Sequence, residues 1–291
     1  MSRPNPVPRS EPERLLELVA AWCGMRVLVV GDPIIDVYYF GHCVRLSPEA
    51  PVPVFVTDRI ETRRGGALNV CANVEALGGI ALLSAPKVGK DSPPCSVKIR
   101  FVAGTHQLLR VDSDHMQFPA ESDMPSLEEL DAVVISDYAK GWIESAFCHE
   151  IIERANVLGL PVVVDPKTPD WEKFRGASVI CPNQLEYEAA CQAGTSITPV
   201  MLKRGADGIT LIRQDLLTAL HVTVDFPAQA RHVYDVTGAG DTVAAVAALA
   251  LSAGGSLEDC CTLANLAAGQ VVAELGTVPC SLKALKSCLD A

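Results

Sequence analysis

Residues 25–30 are apolar apart from Arg26 and run straight into Gly31-Asp32, the pattern of a strand buried on both faces of a parallel sheet. The pattern recurs at residues 132–135, 161–164 and 178–181, with intervening segments, such as 143–158, long enough for helices. Strands alternating with helices predict the α/β class: a doubly wound, mostly parallel sheet flanked by helices. Residues 52–60 and 96–111 break this rhythm. They read as extended, partly alternating strands with no helix between them, and predict a small β sheet beside the main one. Past Met201 the pattern gives a short strand pair around Gly208 and residues 216–224. Helices at 238–253 and 257–274 follow, the first of them alanine-rich and apolar on every side. At the front, residues 1–9 carry three prolines and no periodicity, as in a disordered leader. Ser10 and Glu13 have capping-box spacing, and Leu15, Leu18, Val19 and Trp22 fall on one face of the helix they would start. The expected organisation is a leader and helix over 1–24 and one domain over 25–291, with lid segments near 36–62 and 96–112.

Composition narrows the function classes. The 24 basic and 35 acidic residues give a net charge of -11, which argues against nucleic acid or an anionic membrane as the main partner. No apolar run approaches the ~18 residues of a membrane span, and the acidic residues around 11–17 are wrong for a signal peptide. Eleven scattered cysteines, without a CxxC pair at zinc-finger spacing, read as reduced, mostly buried thiols of a cytoplasmic protein.

The strongest chemical signal is Asp235-Val236-Thr237-Gly238-Ala239-Gly240-Asp241-Thr242, directly ahead of the alanine-rich helix. Gly238 and Gly240 let backbone approach a ligand closely, and a helix start offers free N–H donors and a positive dipole end. Thr237, Gly238, Ala239 and Gly240 therefore read as an anion hole. Phosphoryl transfer depends mainly on positioning and charge stabilisation, and Asp241 is a carboxylate beside that hole able to take a hydroxyl proton. The rival reading is a glycine-rich turn in which Asp241 merely caps a helix.

Residues 238–241 resemble the late GAGD motif of the ribokinase or phosphofructokinase B family of sugar kinases. The resemblance implies a ribokinase-like fold with a β lid, ATP as phosphoryl donor and Asp241 as catalytic base. Gly31-Asp32 with Asp36, then Gly65-Gly66-Ala67 and Asn69, match a second family signature, which implies that Asp36, Gly65, Gly66 and Asn69 bind sugar hydroxyls. Asn183-Gln184-Leu185-Glu186 resembles the family's NxxE motif. It implies an ATP and Mg2+ region in which the metal is held through water near Glu186, with no direct protein ligand. A plain N-cap at Asn183 remains the alternative. Asn265 falls where the family has its adenine-side wall.

Longer runs are similar to one branch, the bacterial D-glycero-beta-D-manno-heptose 7-phosphate kinases. They are Arg45 to Val54, Gln107 to Asp112, Ser136-Asp137-Tyr138-Ala139-Lys140-Gly141, Asp165-Pro166-Lys167 and Val233 to Thr242. The similarity implies transfer to the anomeric hydroxyl of a sugar phosphate, which needs cations. Arg45, Arg63, Arg64, Lys98, Arg100, Arg110, Lys140 and Lys167 lie in or near the matching stretches, and Arg110, Lys140 and Lys167 are the candidates chosen for substrate binding. A homodimer through the lid follows from the same resemblance. Two places depart from the family pattern: residues 79–98, which show only a proline-containing segment where a further helix and strand are expected, and residues 188–201, where a helix is reduced. The adenylyltransferase module fused to some relatives is expected to be absent. A kinase for another sugar, or a shortened inactive relative that binds nucleotide or a partner, are the readings these departures leave open.

Overall fold

The computed structural model describes residues 11–85, 95–114, 124–195, 197, 199–214, 220–229 and 233–290. Eight strands form the main sheet. In chain order they are β1 (Arg26–Gly31), β4 (Ile80–Ser84), β7 (Ala132–Ser136), β8 (Val162–Asp165), β9 (Val179–Ile180), β10 (Val200–Lys203), β11 (Ile209–Gln214) and β12 (His221–Phe226). Their spatial order is β12-β11-β10-β9-β8-β7-β1-β4, parallel from β4 to β10 and antiparallel for the last two pairings. The chain starts at β1, crosses to β4 on one side and then to β7 on the other. A switch point therefore lies between β1 and β7, where open α/β sheets bind their ligands beyond the carboxyl ends of the strands.

Alternation along the buried strands feeds two cores. Val27 and Val29 face the layer formed by α1 (Pro12–Ala21), α2 (Ala67–Ala76), α5 (Ala239–Ser252), α6 (Leu257–Val271) and α7 (Leu282–Leu289). Leu28 and Val30 face the opposite layer, which holds α3 (Ser145–Val157) and α4 (Gln184–Gln192). Helix α5 explains its own composition: it runs through the middle of the first core with Val243 to Ala250 all buried, and small alanines let it approach both the sheet and α6.

A second sheet, in the order β3-β2-β5-β6, stands beside the first: β2 (Pro33–Leu46), β3 (Pro53–Gly66), β5 (Ser96–Ala103) and β6 (His106–Ser113). It occupies the segments expected to form a lid. Strand β2 was not foreseen as a strand, because its inner face carries Asp36, Tyr38 and Phe40 and gives no simple apolar alternation.

Helix α1 forms, with Glu11 at its N-terminal boundary and no side-chain bond there; Ser10, and with it the expected capping box and leader, lies outside the described residues. The stretch after Gly79 holds a strand, β4, paired in parallel with β1, while residues 86–91 of the expected proline-containing segment lie outside the described residues. Helix α7, also unforeseen, packs Leu285 into the first core. No described helix is long and apolar enough to cross a membrane.

Leu15, Leu18, Val19 and Trp22 are all buried, so the first helix is an integral part of the core layer. Trp22→Ala should cost about 3–5 kcal/mol, the range for an aromatic truncated in a packed core, read as a lowered urea midpoint. A loss under about 1 kcal/mol would mean that α1 is only loosely docked.

Candidate active site

The carboxyl ends of the parallel strands open on a cleft of about 620 Å3. Asp36, Lys98, Arg100 and Arg110 line its lid end, and Tyr138, Asp165, Lys167 and Lys203 its middle. Residues 236–241 form its wall at the start of α5, and Asn265, Ala268, Gly269 and Val272 close the far end. Each of the middle residues follows or ends a parallel strand, as the switch-point rule requires.

Asp241 sits in the first turn of α5 with only 2% of its surface exposed. Asn69 of α2 donates from Nδ2 to one carboxyl oxygen at 2.8 Å, and the Tyr138 hydroxyl donates to the other at 2.8 Å. Tyr138 is placed in turn by Asp32, which accepts its backbone N–H at 2.8 Å. Burial pushes the Asp241 carboxyl up to about 6, and the charge of Asp165 adds to the effect, against the two hydrogen bonds and Lys203. Burial likewise pushes Asp32 up to about 6.

The loop before α5 is tied down by Asp235. Its Oδ1 accepts the Thr237 N–H at 2.9 Å and the Thr237 hydroxyl at 2.7 Å, and its Oδ2 accepts the Gly276 N–H at 2.8 Å. Burial works against the Asp235 charge, but these bonds outweigh it and hold the carboxyl below its usual range. The Ala239 N–H points back to Val236 O at 3.3 Å. Of the four residues expected to form the anion hole, Thr237 and Ala239 thus spend their amides inside the loop. The amides of Gly238 and Gly240, with that of Asp241, are the donors left at the helix start among the described residues. Gly238 has φ +82°, and a Cβ there would come within 2.7 Å of Asn69 Nδ2, so glycine is required both for the turn and for the contact that holds Asp241. A Cβ at Gly240 would lie 3.0 Å from Lys203 Nζ, which places that stretch of backbone against a cation.

Two ion pairs frame the middle of the cleft. Lys203 pairs with Asp165, and Lys167 pairs with Glu186 at 2.6 Å. Burial opposes the charge on Asp165, yet Lys203 and Lys167 hold its carboxyl below the ordinary range. Burial also opposes the charge on Lys167, and Asp165 and Glu186 overcome it, so its ammonium titrates above the ordinary range. Asn183 and Glu186 form a full capping box on α4: Glu186 N–H donates to Asn183 Oδ1 at 2.9 Å and Asn183 N–H to Glu186 Oε2 at 2.7 Å. Asn183 also lines the cleft. Gln184 instead bonds Glu188 at 2.7 Å, and Leu185 is exposed; neither lines the cleft.

Asp36 is buried and paired with Arg100, and a side chain at Gly65 would collide with its second carboxyl oxygen. Gly66, at φ +56°, caps α2 and lines the cleft. Arg110 makes a two-pronged pair with Asp112 at 2.7 and 2.6 Å at the lid end. Lys140 pairs with Asp114 at 2.5 Å and does not line the cleft. Asn265 lines it while donating to Phe226 O at 3.2 Å and Pro227 O at 2.5 Å, which pins the end of β12 against α6. Lys203 and the Asp235 tether went unread, because a lone lysine at a strand end and the first letter of a glycine motif carry no distinguishing pattern. Tyr138 and Asp165 were visible as parts of longer matching runs, without roles, and Arg100 only as one of several cations in or near them.

A buried carboxyl at a helix start, glycine backbone beside it and cations along the strand ends define a phosphotransferase-like cleft. The chain belongs to the pfkB family of carbohydrate kinases, whose family model, described as pfkB family carbohydrate kinase, matches residues 96–284. It is 39% identical over 312 residues to a protein of Alcanivorax borkumensis named bifunctional protein HldE, covering 92% of this chain and 64% of that protein. The protein of the same name from Aeromonas hydrophila is 39% identical over 296 residues, covering 87% of this chain and 61% of its own length. The chain thus spans a little over three fifths of these curated relatives. In fold it is similar to Arabidopsis thaliana ribokinase, solved with ribose and ATP, with a TM-score of 0.70 at 18% identity over 92% of this chain and 99% of that one.

A carboxyl raised by burial weakens the fold wherever it is ionised. In the unfolded chain Asp241 loses its proton near pH 4 and in the folded chain near 6, so its destabilising effect is absent below about pH 4 and complete above about pH 7. Asp241→Asn should therefore stabilise the protein by about 1–3 kcal/mol at pH 7.5, and this gain should disappear at pH 4. Paired denaturation curves at the two pH values check it; equal curves at pH 7.5 would mean that the carboxyl is not perturbed.

Proposed function

We propose that this chain transfers the γ-phosphoryl group of ATP to the anomeric hydroxyl of D-glycero-beta-D-manno-heptose 7-phosphate, giving the 1,7-bisphosphate. The observation that carries the reading is Asp241, buried at the start of α5 in a cleft that is also lined by the lid cations Lys98, Arg100 and Arg110 and by Asn265 of α6. The similarity to the HldE proteins and the sequence runs shared with heptose 7-phosphate kinases support the substrate.

The residues divide the work along the cleft. Asp36, Gly65, Gly66 and Asn69 receive the sugar, with the Asp36 carboxylate accepting hydroxyl protons and the glycine backbone leaving room for the ring. The anomeric hydroxyl approaches Asp241 in place of one of its present partners, and the carboxylate takes the proton as the O–P bond forms. The amides of Gly238, Gly240 and Asp241, with Lys203 beside them, offset the charge on the transferred group. Nucleotide lies along residues 183–186 and α6, with Asn265 at the adenine end. The oxygen donors around Glu186 and Asn183 suit magnesium, and Glu186, occupied by Lys167 and its own cap, would hold the metal through water. Magnesium supplies charge neutralisation at the phosphates when bound.

Asp241→Asn should keep ATP binding and lower kcat by ~10² or more, the scale of a positioned general base. In the unsubstituted protein kcat/KM should fall tenfold per pH unit below about 6, as Asp241 takes up its proton. Turnover assays with heptose 7-phosphate beside a panel of other sugars check both. Unchanged turnover in the variant would remove Asp241 from the mechanism, and turnover of a different sugar alone would replace the substrate.

The same reading includes a cytoplasmic protein and a homodimer through the lid. What supports the dimer is the outer face of the lid sheet, where Ile60, Leu109 and Val111 lie exposed around the stacked Tyr39 and Phe101 rings. An exposed apolar patch of this kind costs free energy unless it is covered. Ile60→Glu with Leu109→Glu should turn a dimer into a monomer in sedimentation equilibrium; a monomeric unsubstituted protein would refute this part.

A further inference from the structure

The loop that carries Tyr138 leaves the end of β7 and is anchored from outside the cleft. Asp137, 1% exposed, donates its N–H to Asp165 O at 3.0 Å. Its Oδ1 accepts the Ala139 N–H at 2.8 Å, and its Oδ2 accepts Lys173 Nζ at 2.7 Å and the Thr168 hydroxyl at 3.3 Å. Lys173 belongs to a short 3-10 helix (Glu172–Phe174), is itself 7% exposed, and donates a second bond to Ile143 O at 3.0 Å. Neither Asp137 nor Lys173 lines the cleft. Between these anchors Ala139 is held at φ +57°, a left-handed conformation that a residue with a side chain keeps only when its surroundings enforce it.

A buried ion pair adds little stability beyond what apolar side chains of the same volume would give, so its use here is geometric. Asp137 spends both carboxyl oxygens on fixing the chain around Tyr138, while Asp32 accepts the Tyr138 N–H. The phenol hydroxyl then meets Asp241 Oδ1 at 2.8 Å. Of the two partners of Asp241, Asn69 is the one assigned above to the sugar, which leaves Tyr138 as the partner that stays on the carboxyl. Its bond favours the ionised form and opposes the effect of burial on Asp241. The other charges facing Asp241 are Asp165 of β8, Lys167 just beyond it and Lys203 of β10; Asp36 of β2 and Lys98 of β5 face Tyr138.

We infer that Lys173, through Asp137, is a positioning residue of the reaction: it fixes the loop that aims the Tyr138 hydroxyl at Asp241, and so sets the orientation and proton affinity of that carboxyl from outside the cleft. This rests on the reading of Asp241 as the base and adds the support that holds it ready.

The test compares the unsubstituted protein with Tyr138→Phe, Lys173→Met and the two combined. Two quantities are followed against pH: kcat/KM with ATP and heptose 7-phosphate, and the side-chain carboxyl 13C shift of Asp241, assigned by its loss in Asp241→Asn. Tyr138→Phe should move the acid limb and the Asp241 titration upward from about 6 by about one pH unit, the scale of one hydrogen bond to a charged group. Lys173→Met should move both in the same direction by more than about half a unit, and the combined variant should move them no further than Tyr138→Phe alone, because the two act through one contact. A Lys173→Met protein that is less stable to urea but keeps both pH midpoints, or whose shift adds in full to that of Tyr138→Phe, overturns the inference. If Lys173→Met fails to fold, Lys173→Met with Asp137→Asn, which buries no unpaired charge, decides on the same two midpoints. Full turnover in Asp241→Asn would refute the base reading instead; the carboxyl titration alone then decides, and the inference stands if the Lys173 variant moves it and falls if it does not.

Discussion

Asp241 carries its carboxyl where water hardly reaches, and two side chains from distant parts of the chain hold it there. Asn69 reaches it from α2 and Tyr138 from the loop after β7, so the carboxyl keeps its position only while the α2 layer, the central strand and α5 are all docked. The glycine at 238 belongs to the same constraint, since any side chain would push Asn69 away. Deeper support is polar as well: Asn73 accepts from the Thr242 hydroxyl and from the Cys280 N–H, both at 3.0 Å, which locks α2, α5 and the segment after α6 together beneath the base. These buried groups are satisfied by one another, the condition under which a polar network rigidifies a core instead of weakening it.

Burial of Asp241 has two consequences of opposite sign. It raises the carboxyl toward neutrality, to a range in which it would still be ionised near pH 7 yet accept a proton more readily than an exposed aspartate. It also makes the ionised protein less stable than it would be with a neutral group. The opposing hydrogen bonds from Asn69 and Tyr138 limit that cost. Strain of this kind is expected at a catalytic centre and unexpected elsewhere in a core.

Much of this was legible in the sequence, and the parts that were not share a cause. Strands β1, β7, β8 and β9 announced themselves because both faces are buried and nearly every position is apolar. Helix α5 did so because alanines surround it. Strand β2 escaped because it alternates buried acid and aromatic positions on its lid face, Asp36, Tyr38 and Phe40, in a register that only the partner strand reveals. Strand β4 is short and lies at the sheet edge, and α7 supplies a single fully buried residue, Leu285. At the site the glycine motif and Asp241 could be read, because helix starts and glycines have local signatures. The partners of Asp241 could not, since Asn69 and Tyr138 lie 172 and 103 residues away. Ion pairing is equally invisible in sequence: Lys140 looked equivalent to Lys167, yet one is held by Asp114 away from the cleft and the other by Glu186 within it.

The pairing pattern explains how a chain of net charge -11 can receive anionic ligands. Lys203, Lys167, Arg100 and Arg110 each stand at the cleft already neutralised by a carboxylate. Burying them unpaired would cost several kcal/mol per ion. Under the proposed function, an arriving phosphate would bind by exchange, the cation turning to the ligand and releasing its carboxylate to hydroxyl protons or to a hydrated metal. In that reading Asp165 and Glu186 would take the second role and Asp36 the first. Such a cleft stays stable when empty and gains little from an anion that fails to engage these partners.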